Sequence, residues 1–377
     1  MKKFIIGFIV GILVALVSQS IDDNHDVGSD YETIIIGGIA ALSGDAAGYG
    51  QMAQNVANLF VKEINELGGV NGRLLEIIWE DDKCTPGDAS RAVQKLIGID
   101  KISVILGSVC SGATLGAAPI TEKNEVILMA TLASSPEITN AGDFVFRTFP
   151  SDSSQGKILA ERANTLFHKV GILAEQSDYA LGVANVFEEY FIGETQREEF
   201  LSSESDFKTR ITKLKNSDIE ALFLSTQGPP KMDIILKQLA EQNWNIPIWG
   251  NEMLANDRDV VTKHAYFLKS LDSAFSAILS PPDNEKFHDF VARYKNSFGE
   301  NPKFMDYAGP AADGINVLAH VLGKVDDITD TKAIRDALYE LNDFEGMHGP
   351  LTFDENGDVG LTHTLLQFDG KKFSPAK

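Results

Sequence analysis

The chain has 377 residues, 44% of them hydrophobic and 23% charged, with a formal net charge of −21. That length exceeds one compact core and suits two domains, and the composition is that of a globular protein. An acidic surface argues against nucleic acid or anionic lipid as a partner, since both are polyanions.

At the start, Lys2 and Lys3 precede an unbroken apolar run from Phe4 to Val17. A run of that length suits the core of a signal peptide and is short for a membrane span. Ser18 and Ser20 offer a small-x-small cleavage site. Residues 1–20 are therefore expected to be a signal peptide or an uncut N-terminal anchor, with residues 21–31 a polar tether. No cysteine lies nearby for lipid attachment. Either way the bulk of the chain is expected outside the cytoplasm, in the periplasm or at the cell surface.

From residue 32 the pattern alternates strand and helix. "TIIIGGIAAL" is too short and too Ile-rich for a helix. Residues 51–67 put Met52, Val56, Leu59, Phe60, Ile64 and Leu67 on one helical face, and Gly68-Gly69 stops that helix. Asn71-Gly72 turns into the strand "LLEIIWE". Asp88 is expected to cap a helix carrying Ala92, Val93, Leu96 and Ile97. "ISVILG", "EVILMA" and "FVFRTF" are further extended pieces. Near Phe149-Pro150-Ser151-Asp152 the pattern restarts, with strands at "KVGILAE", "ETQREEF", "IEALFLS" and "IPIWG" and helices between them. Alternating elements mean parallel sheets covered by helices, and two such series mean two lobes. The last third has helices around 284–298, 307–322 and 331–341, then "GPLTFDENGDVG" and "LTHTLLQF" as strands. These pieces must complete the two lobes, so the chain crosses between them more than once, making a hinge with a cleft.

Two cysteines in an exported chain are expected to be joined, with two buried free thiols as the alternative. A nucleophilic Cys110 would need a base, and no His lies within forty residues of it. The loop "GSVCSGAT" follows a strand and precedes a helix, a geometry that suits a carboxylate or phosphate at the helix N-terminus. "ATLASSPEIT" repeats the small hydroxyls at the next strand end, where open α/β sheets bind ligands. "GYGQMA" matches a dinucleotide pattern but does not directly follow a strand. "DENGD" starts like a calcium loop, yet lacks Gly at its sixth position, and reads as a turn at Asn356-Gly357. The seven His show no metal-ligand spacing, and no G-x-S-x-G elbow occurs. No enzyme, metal or cofactor is implied. Glu252, just past a strand end, gains meaning only if it faces the hydroxyl loops across the cleft, where a cationic group would pair with it.

Taken together, "ALSGDAAGYGQ", "INELGGVNGRLLEIIWEDDKCTPGDA", "VILGSVCSGAT", "ILMATLASSPEIT", "FRTFPSDSSQG" and "GPLTFDENGD" resemble the periplasmic leucine/isoleucine/valine-binding protein family. Its members are solute-binding subunits of branched-chain amino acid ABC transporters. The likeness covers residues 32–375. It implies an α/β type I periplasmic-binding fold, two doubly wound parallel-sheet lobes joined by a three-segment hinge. Residues 32–148 and 280–364 would form one lobe, and 149–279 and 365–377 the other. The partners implied are an amino acid and the permease and ATPase of an importer, with no cofactor. The ligand carboxylate would lie on the Ser111 loop and at Ser134. The ammonium would lie on the Leu132 backbone, the Ser134 hydroxyl and Glu252. Val109 and Cys110 would line the side-chain pocket, with Tyr49 and Tyr179 as aromatic walls, and the family disulfide maps onto Cys84 and Cys110. Three departures stand out. Asp178-Tyr179 is followed by Ala180 instead of Gly, "STQGPPKM" lacks a tyrosine so that Gln227 takes its place, and "MATLASSP" is one residue shorter. The alternatives are a ligand-sensing domain of the same fold, or a binder of amides or urea.

Overall fold

Short apolar runs become strands and amphipathic segments become the helices that cover them. The computed structural model describes residues 33–376 except 272 and 343. The expected signal or anchor segment and the tether lie outside the described residues.

β1 (Ile34–Ala40), β2 (Leu75–Asp81), β3 (Val104–Leu106), β4 (Ile127–Ala130) and β5 (Val145–Arg147) form a parallel sheet in the order β2-β1-β3-β4-β5. They are connected through α1 (Ala47–Glu66), α2 (Pro86–Gly98) and α3 (Ser111–Lys123). In α1, Met52, Val56, Leu59 and Phe60 are buried as the periodicity predicts. Leu67 departs from that expectation: it lies past the helix end and is 89% exposed. Gly68 and Gly69 both take positive φ there, which stops the helix. The "GYGQMA" glycines sit inside α1 and form no strand-to-helix phosphate turn. In α2 the cap is Thr85, not Asp88. Pro86 fixes the first helical position, so the Thr85 hydroxyl oxygen accepts the Asp88 N–H at 3.1 Å.

The second sheet holds β6 (Lys169–Glu175), β7 (Glu194–Phe200), β8 (Ala221–Ser225), β9 (Ile248–Gly250) and β10 (Ala274–Ile278), in parallel. Around it run α4 (Asp152–Asn164), α5 (Asp178–Tyr190), α6 (Lys208–Lys215), α7 (Pro229–Glu241) and α8 (Arg258–Lys269). Two of these elements, α8 and β10, lie beyond those the periodicity marked. Asp257 caps α8 by accepting from the N–H groups of Asp259 and Val260. At the core of this sheet, Trp249 is fully buried between Phe167 and Phe275.

After β10 the chain returns to the first lobe. α9 (Glu285–Phe298) and α10 (Met305–Leu322) pack on α1, and α11 (Thr331–Tyr339) follows. β11 (Phe344–Gly346) pairs with β12 (Gly349–Leu351) in a small hairpin. The "DENGD" segment is a turn bracketed by an antiparallel bridge between Phe353 and Val359. Then β13 (Thr364–Phe368) and β14 (Phe373–Pro375) add an antiparallel edge to the second sheet, in the order β14-β13-β10-β9-β8-β6-β7. The chain thus passes between the sheets three times: from β5 to α4, from β10 to α9, and from β12 to β13. Each sheet also reverses its winding once, between β1 and β3 and between β6 and β8. At such reversals the strand-end loops diverge and leave a crevice.

Candidate functional site

The first half of the site grows out of β3. At Gly107 φ is +114°, and a Cβ would stand 1.9 Å from the Ile39 carbonyl oxygen, so the turn admits only glycine. Cys110 is the extended N-cap residue of α3 and caps it with no side chain. It is joined to Cys84, in the loop after β2, by the expected disulfide. The bridge pins the start of α3 to the end of β2, two strands away across β1. The next residue, Ser111, is 2% exposed. Its hydroxyl oxygen accepts from the backbone N–H of Ser134 at 3.2 Å and of Ser135 at 3.0 Å. The two hydroxyl loops are therefore one structure, with Ser111 as the strut between them. The Ser111 O–H remains to donate. The first-turn N–H groups of α3 have no side-chain cap and no intrahelical acceptor, and they sit at the positive end of the helix dipole.

The second half comes from the other sheet. Glu252 opens a single 3₁₀ turn after β9 and is 1% exposed. Tyr179, the second residue of α5, donates its hydroxyl to Glu252 Oε1 at 2.9 Å. Glu252 Oε2 has no partner in hydrogen-bond geometry among the described residues. Burial pushes the Glu252 carboxyl up to about 7, against the pull of the Tyr307 and Tyr179 hydroxyls beside it. Burial, and then the Glu252 charge, raise the Tyr179 and Tyr307 phenols well above their ordinary value. Tyr49 reaches across from α1, with its hydroxyl 3.5 Å from the Met253 sulfur and its ring stacked on Phe304 at 3.9 Å.

These groups line a cavity of about 40 Å³. All nine residues singled out in the sequence line it: Tyr49, Val109, Cys110, Ser111, Leu132, Ser134, Tyr179, Gln227 and Glu252. Among the described residues the lining includes no Lys, Arg or His. Three lining residues escaped the sequence reading: Ala46, Met253 and Tyr307. Met253 adjoins Glu252 and was findable by that adjacency. Tyr307 arrives on α10, where an apolar, Ala-rich helix reads as core.

The lobes are shut on each other around this cavity. A Cβ on Gly112 of α3 would stand 2.6 Å from Asp178 Oδ2 of α5. One on Gly182 of α5 would stand 3.0 Å from both Pro136 Cδ and Ser135 Oγ.

The family model described as "Periplasmic binding protein" matches residues 33–372, and the chain belongs to that family. The leucine-, isoleucine-, valine-, threonine- and alanine-binding protein of Pseudomonas aeruginosa is 28% identical over 338 residues, 87% of each chain. The isoleucine complex of the substrate-binding protein LivJ of a branched-chain amino acid transporter from Streptococcus pneumoniae aligns with a TM-score of 0.77 at 27% identity, over 92% of this chain and 99% of that one. The leucine-binding protein LivK of Thermotoga maritima aligns with a TM-score of 0.80 at 21% identity, over 92% and 98% of the two chains, a likeness of fold. The fold is the type I periplasmic-binding arrangement. The family is one of exported solute-binding proteins and is not an enzyme family.

Proposed function

We propose that this chain captures an amino acid, branched-chain most readily, between its lobes and delivers it to the permease and ATPase of an ABC importer. The observation that carries this reading is Glu252. A buried carboxyl with one oxygen held by Tyr179 and the other unpartnered, in a lining without a cationic side chain, calls for an ammonium from the ligand. Opposite it, the Ser111 hydroxyl and the uncapped turn of α3 suit the ligand carboxylate. The Leu132 carbonyl and the Ser134 hydroxyl complete the ammonium's shell. Val109 and Cys110 receive the side chain, where each buried methylene adds about 0.8 kcal/mol. Tyr49 and Tyr179 wall the ligand, and Gln227 closes the second-lobe side. Ligand contacts to both lobes favour the shut form.

In this reading the lobes divide at the three crossings. Residues 32–148 with 280–364 make one, and 149–279 with 365–377 make the other. The N-terminal segment exports the chain and is then cut or kept as an anchor.

The test is thermal shift of the chain against the twenty amino acids, benzoate, urea and short amides, because a ligand of the folded state raises its melting temperature. A shift with leucine, isoleucine or valine is expected. A shift with amides or urea alone, or with benzoate alone, would replace the ligand class.

A further inference from the structure

Behind Ser134, where two of the three crossings run side by side, lies a second set of polar groups that the ligand scheme does not use. Asp152 opens α4 at the first crossing and His363 closes the third, and both side chains are fully buried. The Asp152 backbone N–H donates to the Ser134 carbonyl at 2.8 Å. No donor meets either Asp152 carboxyl oxygen in hydrogen-bond geometry among the described residues, although the Ser134 hydroxyl lies beside it. The hydrogens on His363 can be assigned. Ser154 donates its one hydroxyl hydrogen to the Ser151 carbonyl at 3.0 Å. Its lone pair therefore accepts from His363 Nδ1, 2.6 Å away. His363 Nε2 then bears a lone pair, has no partner among the described residues, and faces Asp152 Oδ1 at 3.8 Å, just outside hydrogen-bond reach.

Two acceptors facing each other in a dry interior require a hydrogen between them. We propose that in the shut form Asp152 holds a proton facing the His363 lone pair, and that this proton is taken up as the lobes close. The proton sits on Asp152. Burial and then the Glu252 charge favour it there, against the pull of the Ser134 hydroxyl and of Arg147. Arg147, at the end of β5, stands near both groups, but its charge is already matched by Asp358, at 2.5 Å from Nε and 2.6 Å from Nη2. That guanidinium and burial keep His363 neutral, with burial the larger cause. Glu252 is the other charged group close to Asp152, and its negative charge opposes a second one there. Phe149 covers the His363 ring at 6.1 Å between centroids, and the Gln155 amide on the same turn is neutral. With the lobes apart, water reaches the pair and Asp152 titrates as an ordinary carboxyl.

The inference rests on the lobe closure and amino acid binding proposed above. Its test is isothermal titration of leucine into the full chain at pH 7 in phosphate and in Tris, two buffers with different ionisation heats. About one proton taken up per leucine bound is expected. Asp152→Asn keeps the shape and can donate an N–H to His363, so its uptake falls to none while its affinity stays within about threefold. Zero uptake in the parent chain overturns the inference, as does uptake unchanged in Asp152→Asn. So does an affinity loss of a hundredfold in that variant, which would make Asp152 an ionised ligand contact. Absence of heat with every amino acid would instead remove the ligand assignment. The pair is then read without ligand in Glu252→Gln, where loss of the buried charge favours the shut form. There the ¹⁵N shifts of His363 should report an uncharged Nδ1–H ring from about pH 5 to about pH 8. A ring that titrates near its ordinary value overturns the pair whatever the ligand is.

Discussion

Replacing Glu252 by Gln should have two effects of opposite sign, one on the empty protein and one on the liganded protein. In the shut, empty form burial carries the Glu252 carboxyl from the ordinary 4.5 to about 7. With the lobes apart it meets water and returns toward the ordinary value. A carboxyl whose pKa is higher in the shut form makes shutting take up a proton. The shut empty form is therefore unpenalised below 4.5, loses ground as pH rises toward 7, and is at its worst above 7. The gap, at about 1.4 kcal/mol per pH unit, comes to about 3 kcal/mol, on the order of a hundredfold in the shut-to-open ratio at neutral pH. A ligand ammonium removes that cost by pairing with the charge. Gln carries no charge, so Glu252→Gln should shut more readily when empty at pH 8 and should bind leucine at least about thirtyfold more weakly, as for the loss of one partner of a buried pair. Small-angle scattering follows the closure through the radius of gyration at pH 5 and pH 8, and calorimetry follows the affinity. Any pH dependence left in the variant belongs to Asp152. A variant as open at pH 8 as the parent, with leucine affinity unchanged, would refute the role given to Glu252.

Three further changes probe the frame around the ligand. Ser111→Ala leaves the Ser134 and Ser135 N–H groups without their acceptor, so stability should fall by about 1–3 kcal/mol and binding should weaken, though less than in Glu252→Ala; unchanged melting and affinity would exclude the strut. Reducing the Cys84–Cys110 bridge, whose sequence separation is 26, should cost about 3–4 kcal/mol by the loop-entropy relation, seen as a lower melting temperature with reductant that Cys84→Ala reproduces. Gly182→Ala should stabilise α5 by up to about 1 kcal/mol while weakening leucine binding severalfold, because its Cβ would crowd Ser135 and Pro136 of the facing lobe; affinity equal to the parent would show that the lobes do not need that close approach.

The sequence was legible where the physics is local. Strand runs, helical faces and the Gly68-Gly69 stop follow from periodicity and backbone preference, and the hydroxyl loops were found because strand ends in α/β sheets are where ligands go. Spacing alone points to Asp88 as the cap of α2, whereas Pro86 sets the helix start one turn earlier, at Thr85. α8 has its signal in Asp257 before Val260, Val261, His264, Phe267 and Leu268, whereas the short apolar run of β10 is interrupted by Ser276 at its centre. Tyr307, Asp152 and His363 were beyond such reading for a different reason. Their meaning lies in partners far along the chain: only the packing of α10 brings Tyr307 to the cavity, and only the crossings bring Asp152 to face His363.

The three crossings also bear on how the protein is made. A chain delivered from its N-terminus, whether from a ribosome or through an export channel, presents β1 to β5 first. That sheet lacks its cover until α10 arrives with Tyr307, and the second sheet keeps an open edge at β10 until β13 and β14 arrive. Neither half is complete before the last third of the chain has arrived. Until β13 and β14 arrive, the β10 edge is open to mispairing. A truncation before Thr364 would leave that edge bare in both newly made and mature protein.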